Sequence, residues 1–363
     1  MKYKYLLIYF LTFGLSCSNT SEAHFTQKSI KLLNNASAQY KNNSIIPDSK
    51  EKYIQQNIRE YLISNNVSGS IAVVKNNKKY FYEGIGYSDI SNRKLNSTST
   101  TYPIGSITKT MVAVCILQLQ EKGKLRIQDS VSNYVPNLPK GVKIIHLLNH
   151  SSGIRSPIWH VGDKGPKEII KRAGNRGRGF LPGAKWDYND INYMVLGYIV
   201  EQVSGIPLHE YIKKNIFNKA SMVNAGFITA RKPDPFSSRG YIKIAKRILH
   251  ASKLNPSLLY GCGDIYATAL DVSLFDEALM TGNLISIKSL KEMVTPGPKS
   301  SYGLGLYHTD DRVYSRGVVG GWESIHVYYD DKTSIVILLN VREKLCDIKK
   351  VAADIYSIMK EQL

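Results

Sequence analysis

The sequence predicts an α+β fold, an antiparallel sheet flanked by helices with a mostly helical lobe set between its strands. Strand-like apolar runs lie at both ends of the chain, and the long middle carries helical periodicity. Connections such as Asp330-Asp331-Lys332 are too short for a crossover, so the late strands form antiparallel hairpins. Strands from the two ends then join most simply into one sheet, with the middle packed on it. With 363 residues the chain can bury a sizeable core, and a hydrophobic fraction of 43% excludes general disorder.

The elements follow in order. Ile71 to Val74 reads as a strand, Asn76-Asn77 as a turn, and Tyr80 to Gly86 as a second strand. Thr108 to Lys122 is a strongly apolar helix stopped by Gly123. His146 to Asn149 is a short helical segment leading into Ser151-Ser152-Gly153, and Asn192 to Val203 is an apolar helix stopped near Gly205. Strand-like runs follow at Tyr302 to Tyr307, Ile325 to Tyr329 and Ser334 to Leu339, and then a last helix over about Ile348 to Lys360. Residues 51–363 are expected to form one domain.

The N-terminus indicates a destination. Residues 1–16 join two lysines to an apolar run, Tyr5 to Leu15, of signal-peptide length and too short to span a bilayer. Gly14-Leu15-Ser16-Cys17 resembles the lipobox of bacterial lipoproteins, with Gly14 where Leu is usual. The expectation is an exported protein, in the periplasm, on the outer membrane as a lipoprotein anchored at Cys17, or secreted. Residues 17–50, rich in Ser, Asn, Lys and Gln, read as a flexible leader.

The formal net charge is +19, from 48 Lys+Arg against 29 Asp+Glu. Removing residues 1–16 takes away Lys2 and Lys4 and leaves +17, so the basicity belongs to the mature protein. Export disfavours nucleic acid, and no nucleic-acid-binding motif contradicts that. Lys164, Lys167, Lys171, Arg172, Arg176 and Arg178 form one basic group. Arg231, Lys232, Arg239, Lys243, Lys246 and Arg247 form another. They read either as solvated surface or as attractors for an anionic envelope polymer. Four Cys exclude a disulfide scaffold, and Cys115, in an apolar helix, reads as a buried inert thiol. No metal-ligand spacing and no glycine-rich phosphate loop occur, so neither metal nor cofactor is expected.

A serine becomes a nucleophile when a base takes its proton, and a lysine three residues later on a helix lies within reach. Ser-x-x-Lys occurs at Ser49, Ser91, Ser106 and Ser357. The first lies in the leader, the second in a polar turn and the fourth in the last helix, all read as solvated surface. Ser106 follows Gly105 and opens an apolar helix, where backbone N–H groups favour developing negative charge. Lys109 sits in the first turn beside the core, where a lysine loses its proton more easily. Local residues leave a second reading open, in which Ser106 only caps the helix and Lys109 snorkels to solvent.

Taken together, the motifs resemble the serine β-lactamase and penicillin-binding-protein superfamily, in its branch of class C β-lactamases, DD-peptidases and family VIII esterases. The resemblance covers roughly Val67 to Asn340. Val67 to Val74 resembles the first strand and Tyr102-Pro103-Ile104-Gly105-Ser106-Ile107-Thr108-Lys109 the nucleophile motif. His146 to Ile154 resembles the "LLTHTSG" turn, and Tyr188-Asn189-Asp190 the second catalytic motif. Gly261-Cys262-Gly263-Asp264 with Thr268 and Asp271 resembles "aGGl-sTa-D", and Tyr302 to Leu306 the "YGLGW" strand. The resemblance implies a β-lactamase/transpeptidase-like fold. It also implies an acylating nucleophile at Ser106, its base at Lys109, and a proton-passing phenol at Tyr188 whose ionisation Lys109 supports.

By the same resemblance Asp190 stands where Asn is usual. It is expected to hold a substrate amide or Lys109, and its anion to raise the lysine's pKa. The third motif, Lys-Thr-Gly or His-x-Gly in the family, is matched to Val318-Val319-Gly320, so Val318 replaces the carboxylate-binding cation. Val318, Gly320 and Gly321 are therefore expected to line the substrate site, with Ser106 and Gly321 supplying oxyanion N–H groups; whether a nearby Arg such as Arg316 compensates for Val318 is left open by the sequence. His150 is expected to be structural and His326 a half-buried strand residue. The implied activity is a serine hydrolase acting on a small ester, a D-amino-acid amide, a peptidoglycan-like peptide or, ranked last, a β-lactam. The alternative is a catalytically degenerate member that binds cell-wall peptide or a partner protein.

Overall fold

The computed structural model describes residues 50–157, 165–298, 300–343 and 347–363. The signal-like segment, Cys17, the leader up to residue 49, Lys164 and Cys346 lie outside them. The chain enters on α1 (Lys50–Ser64) and continues through β1 (Gly69–Lys75), β2 (Lys78–Ile85), β3 (Tyr87–Asp89), β4 (Lys94–Leu95) and β5 (Tyr102–Pro103). The helical middle holds α2 (Ile107–Glu121), α3 (Ile144–Leu148), α4 (Pro166–Asn175), α5 (Asp190–Ser204) and α6 (Leu208–Ile212). Then come β6 (Gly226–Phe227), β7 (Tyr241–Ile244), β8 (Arg247–His250), α7 (Pro256–Leu259), β9 (Ile265–Ala267), α8 (Ala269–Met280) and α9 (Ile287–Val294). The chain closes on β10 (Tyr307–Thr309), β11 (Arg312–Val319), β12 (Trp322–Tyr329), β13 (Thr333–Leu339), β14 (Val341–Glu343) and α10 (Ile348–Gln362).

The strands from the two ends meet as expected. The main sheet runs β10-β11-β12-β13-β1-β2, every neighbour antiparallel. The β1–β13 pair, which joins the two ends of the chain, is registered Ile71 to Ile337. Tight turns fix the hairpins: Asn76 and Asn77 both take positive φ, and so does Lys332.

Alternation along the strands divides the core in two. Ile71, Val73, Ile325, Val327, Ile335 and Ile337 pack with Ile54, Ile58 and Leu62 of α1 and Ile355 of α10. Ala72, Tyr328, Val336 and Leu338 face the other way, into the larger core built on α2, α5 and α8. Every residue of α2 from Ile107 to Leu119 is buried, the mark of a helix wrapped on all sides. The helix that follows Ser106 is thus the axis of the lobe.

Tyr302 to Leu306 departs from expectation. It forms no strand, and Tyr302 makes one isolated bridge to Tyr307. Gly305 at φ +92 lies against Lys109 O and Thr110 Cα of α2, and that close approach turns the segment away from an extended path. The β7–β8 hairpin was not legible as strand, because charged residues interrupt its alternation. Part of the second basic group is neutralised there, with Arg239 paired to Asp89 and Lys243 to Glu343.

His326 lies buried on β12 rather than in the cleft. Its Nδ1 is 2.5 Å from Asp276 Oδ1 of α8, and Asp276 Oδ2 accepts from Ser334 Oγ at 2.8 Å. This polar link ties α8 to the sheet inside the apolar core. Removing its acceptor strands two buried groups, at about 1–3 kcal/mol each. Asp276→Ala should therefore lower the thermal unfolding midpoint clearly, and Asp276→Asn less. An unchanged midpoint in both variants would contradict the link.

Candidate active site

Ser106 stands at the N-cap of α2, but its side chain makes no capping hydrogen bond. The hydroxyl turns instead to Lys109, whose Nζ donates to Ser106 Oγ at 2.8 Å. Lys109 is only 1% exposed, so it does not snorkel. The capping-and-snorkelling reading is thereby excluded. Gly105 before it takes φ +52, and a Cβ there would crowd Val318 N at 3.1 Å, so the sharp entry to the helix calls for glycine.

Two further acceptors close on the same ammonium. Lys109 Nζ donates to Cys262 O at 2.9 Å and lies 2.8 Å from Asp190 Oδ1. Burial works to strip its proton, but the charge of Asp190, with Tyr188 and Cys262 beside it, prevails and holds the pKa above the ordinary lysine value. The expectation that nearness to the core would free a base is corrected: the resting lysine is charged. The expectation that an anion at Asp190 would raise it agrees with the geometry.

Tyr188 lies beside this pair, its ring centroid 5.0 Å from Lys109 Nζ. It keeps 37% of its surface open to the cleft. Burial of its hydroxyl end raises the phenol pKa, Lys109 pulls it back, and Asp190 pushes it up again. The resting phenol is neutral chiefly because it is buried, with Asp190 offsetting part of the pull of Lys109. Trp186 and Tyr302 stand 6.2 Å from Tyr188, centroid to centroid.

The third motif is displaced by three residues from its expected place. Gly320 and Gly321 form the turn from β11 to β12, and Gly321 packs against Gly240 and Tyr241 rather than Ser106. The backbone that meets the nucleophile is Gly317–Val318. A Cβ on Gly317 would fall 2.0 Å from Ile104 O and 2.9 Å from Ser106 N. The triplet facing Ser106 is therefore Ser315-Arg316-Gly317, and Val318 contributes main chain. Register explains the difference: Gly317 pairs with Ser324, whose Oγ donates to Ile104 O at 2.7 Å. Arg316 belongs to this triplet, but its guanidinium is paired to Glu323 Oε1, with Nε at 2.7 Å.

Composition around the site carries no signal for Cys262 O, a main-chain acceptor supplied by the Gly261-Cys262-Gly263 loop. The backbone contribution of Gly317 is equally silent in a run of Gly and Val.

The sequence model of the Beta-lactamase family matches residues 54–353. Penicillin-binding protein PbpX of Bacillus subtilis is 37% identical over 309 residues, spanning 85% of this chain and 79% of that protein. Teichoic acid D-alanine hydrolase of Staphylococcus aureus is 29% identical over 78% of this chain and 73% of its own. The crystal structure of FmtA from Staphylococcus aureus superposes with a TM-score of 0.77 at 25% identity, covering 91% of this chain and 96% of that one.

Asp190 is the group that opposes burial at Lys109, so Asp190→Asn should let Lys109 release its proton at lower pH. With an uncharged ester probe, the pH midpoint for acylation should fall by about 1–3 units. An unmoved midpoint would show that Asp190 does not set the protonation of Lys109.

Proposed function

The chain belongs to the Beta-lactamase family, and from that premise we propose that it is an exported serine hydrolase working through an acyl-enzyme on Ser106. The observation that carries the proposal is the three-way bonding of Lys109 to Ser106, Cys262 O and Asp190 in a buried pocket. A degenerate binding protein has no need of a desolvated ammonium bonded to a serine hydroxyl, and this weighs against that alternative.

The preferred acyl donor carries an ammonium group, as a D-alanyl ester or a D-amino-acid amide does. Asp190 is half exposed and offers an anion to the acyl side. On nearby β11, Arg316 is tied to Glu323, so its guanidinium does not await a carboxylate. Peptides and β-lactams that bring a carboxylate rank lower for the same reason. The name of the Staphylococcus aureus relative, a D-alanine hydrolase, supports the same class.

A substrate ammonium that engages Asp190 weakens its hold on Lys109. Burial, the largest influence on that lysine, then favours the neutral amine. Neutral Lys109 takes the Ser106 proton as Oγ attacks the carbonyl carbon. The backbone N–H groups of Ser106 and Val318 hold the oxyanion, in place of the Gly321 group expected from sequence. Tyr188 hands a proton to the leaving oxygen or nitrogen and recovers one through Lys109. Water, deprotonated at the same site, attacks the acyl-enzyme and releases the acid. No cofactor enters these steps.

Residues 1–16 direct export in this reading, and Cys17 carries a lipid anchor. Cys17→Ala should move the protein from the membrane fraction to the soluble envelope fraction; an unchanged distribution would reject the anchor.

The substrate reading is tested with matched esters. A D-alanyl ester with a free amine should exceed its N-acetylated counterpart by about tenfold or more in kcat/KM, one lost charge contact being worth at least 1.4 kcal/mol. Ser106→Ala should abolish both activities. Equal rates on the two esters would remove the ammonium preference, and turnover by Ser106→Ala would remove the acyl-enzyme.

A further inference from the structure

We infer that His150 is a positioning residue for the Tyr188 phenol, fixing the main chain on both sides of it in a single tautomer. The backbone N–H of Asp187, the residue before Tyr188, donates to His150 O at 2.8 Å. The backbone N–H of Asn189, the residue after it, donates to His150 Nδ1 at 3.2 Å. The imidazole itself lies against the phenol, ring centroids 4.2 Å apart at 36°. One residue thus holds the main chain on either side of Tyr188 and packs on its ring. Asp190, which holds Lys109, is the next residue along, so the same clamp sets the spacing of both groups.

The tautomer follows from chemistry. A peptide N–H can only donate, so Nδ1 must accept and the ring proton sits on Nε2. The amide of Asn192, 3.1 Å from Nδ1, reinforces that assignment by donating its own N–H. Nε2 is then a buried donor with no hydrogen-bond partner among the described residues. His150 also takes φ +55, an uncommon conformation for a non-glycine residue, and one that Asn, Asp and His adopt more readily than the rest. Both features cost stability, and neither is needed merely to fill space. They are understandable if the position is held for the geometry of its neighbour.

The surroundings keep the ring neutral. Burial lowers its pKa well below the usual histidine value, and Lys109 lowers it further. Tyr188, Tyr193 and Tyr302 are the other titratable groups around it, with centroids 4.2, 5.2 and 4.9 Å away. A proton on Nδ1 would remove the acceptor for Asn189 and set a second cation beside Lys109.

The kinetic consequence rests on the acyl-enzyme reading, and the structural one does not. His150→Phe keeps an aromatic ring but has no acceptor; its kcat should fall about 100-fold with KM little changed, the scale of a small misplacement of a reacting group. His150→Asn restores an acceptor near the Nδ1 position and suits positive φ, so it should stay within about tenfold of wild type. Its pH–rate profile should match wild type, while that of His150→Phe should shift.

Independently, the imidazole 15N shifts of wild-type protein should show a bare Nδ1 and a protonated Nε2 across neutral pH. Wild-type kcat in His150→Phe, or a proton on Nδ1, would overturn the inference. If wild-type protein fails to form an acyl-enzyme, the functional reading fails. The clamp is then judged by the 15N shifts and by crystal structures, in which Tyr188 must move in His150→Phe and stay in His150→Asn. If His150→Phe does not fold, the Asn variant and the shifts decide.

Discussion

The cleft depends on one buried ammonium. Lys109 has three donors, and each reaches a different part of the chain: Ser106 at the head of its own helix, Cys262 O on the loop before β9, and Asp190 at the start of α5. An ion-paired charge at 1% exposure is tolerable only because all three are satisfied. The arrangement therefore fixes the mutual position of α2, α5 and the Cys262 loop. It also sets the resting state, a charged lysine, a neutral phenol and a neutral serine, and in the proposed mechanism activation starts by unsettling Asp190.

That starting point changes what the surrounding groups are for. A lysine held charged cannot act as a base until its partner is drawn away, so in the proposed mechanism the exposed side of Asp190 is where substrate charge matters. Arg316 and Glu323 neutralise one another on β11 and β12, while Asp190, paired with Lys109, keeps half of its side-chain surface exposed. The +19 of the whole chain is thus no guide to the charge at the site. Some of the outlying cations are also spoken for: Arg176 and Arg178 donate to the main-chain carbonyls of Ser156 and Lys140.

Most of the architecture was legible in the sequence because strong local signals marked it. Apolar strands at both ends, an Asn-Asn turn and a helix apolar on every face each follow from short-range preferences, and they agreed with a single sheet carrying a helical lobe. Ser106, Lys109, Tyr188 and Asp190 were legible because each sits in a distinctive string of residues. The third motif was not. Gly317-Val318-Val319-Gly320-Gly321 offers several glycines, and only the register of β11 on β12, with Ser324 reaching Ile104 O, selects the one that abuts the nucleophile. The protonation of Lys109 was equally hidden, since burial and Asp190 pull in opposite directions and only distance decides between them. His150 read as structural, because its grip on Tyr188 runs through main-chain groups that have no letter in the sequence.

In the proposed mechanism Ser106 carries the acyl group during turnover. The most direct measurement is rapid-quench mass spectrometry of the intact protein mixed with a D-alanyl ester, followed by digestion. A covalent D-alanyl increment on the peptide that contains Ser106, forming before product accumulates and decaying as substrate runs out, is the predicted result. Steady turnover with no increment at any time, or an increment on a peptide lacking Ser106, would contradict it.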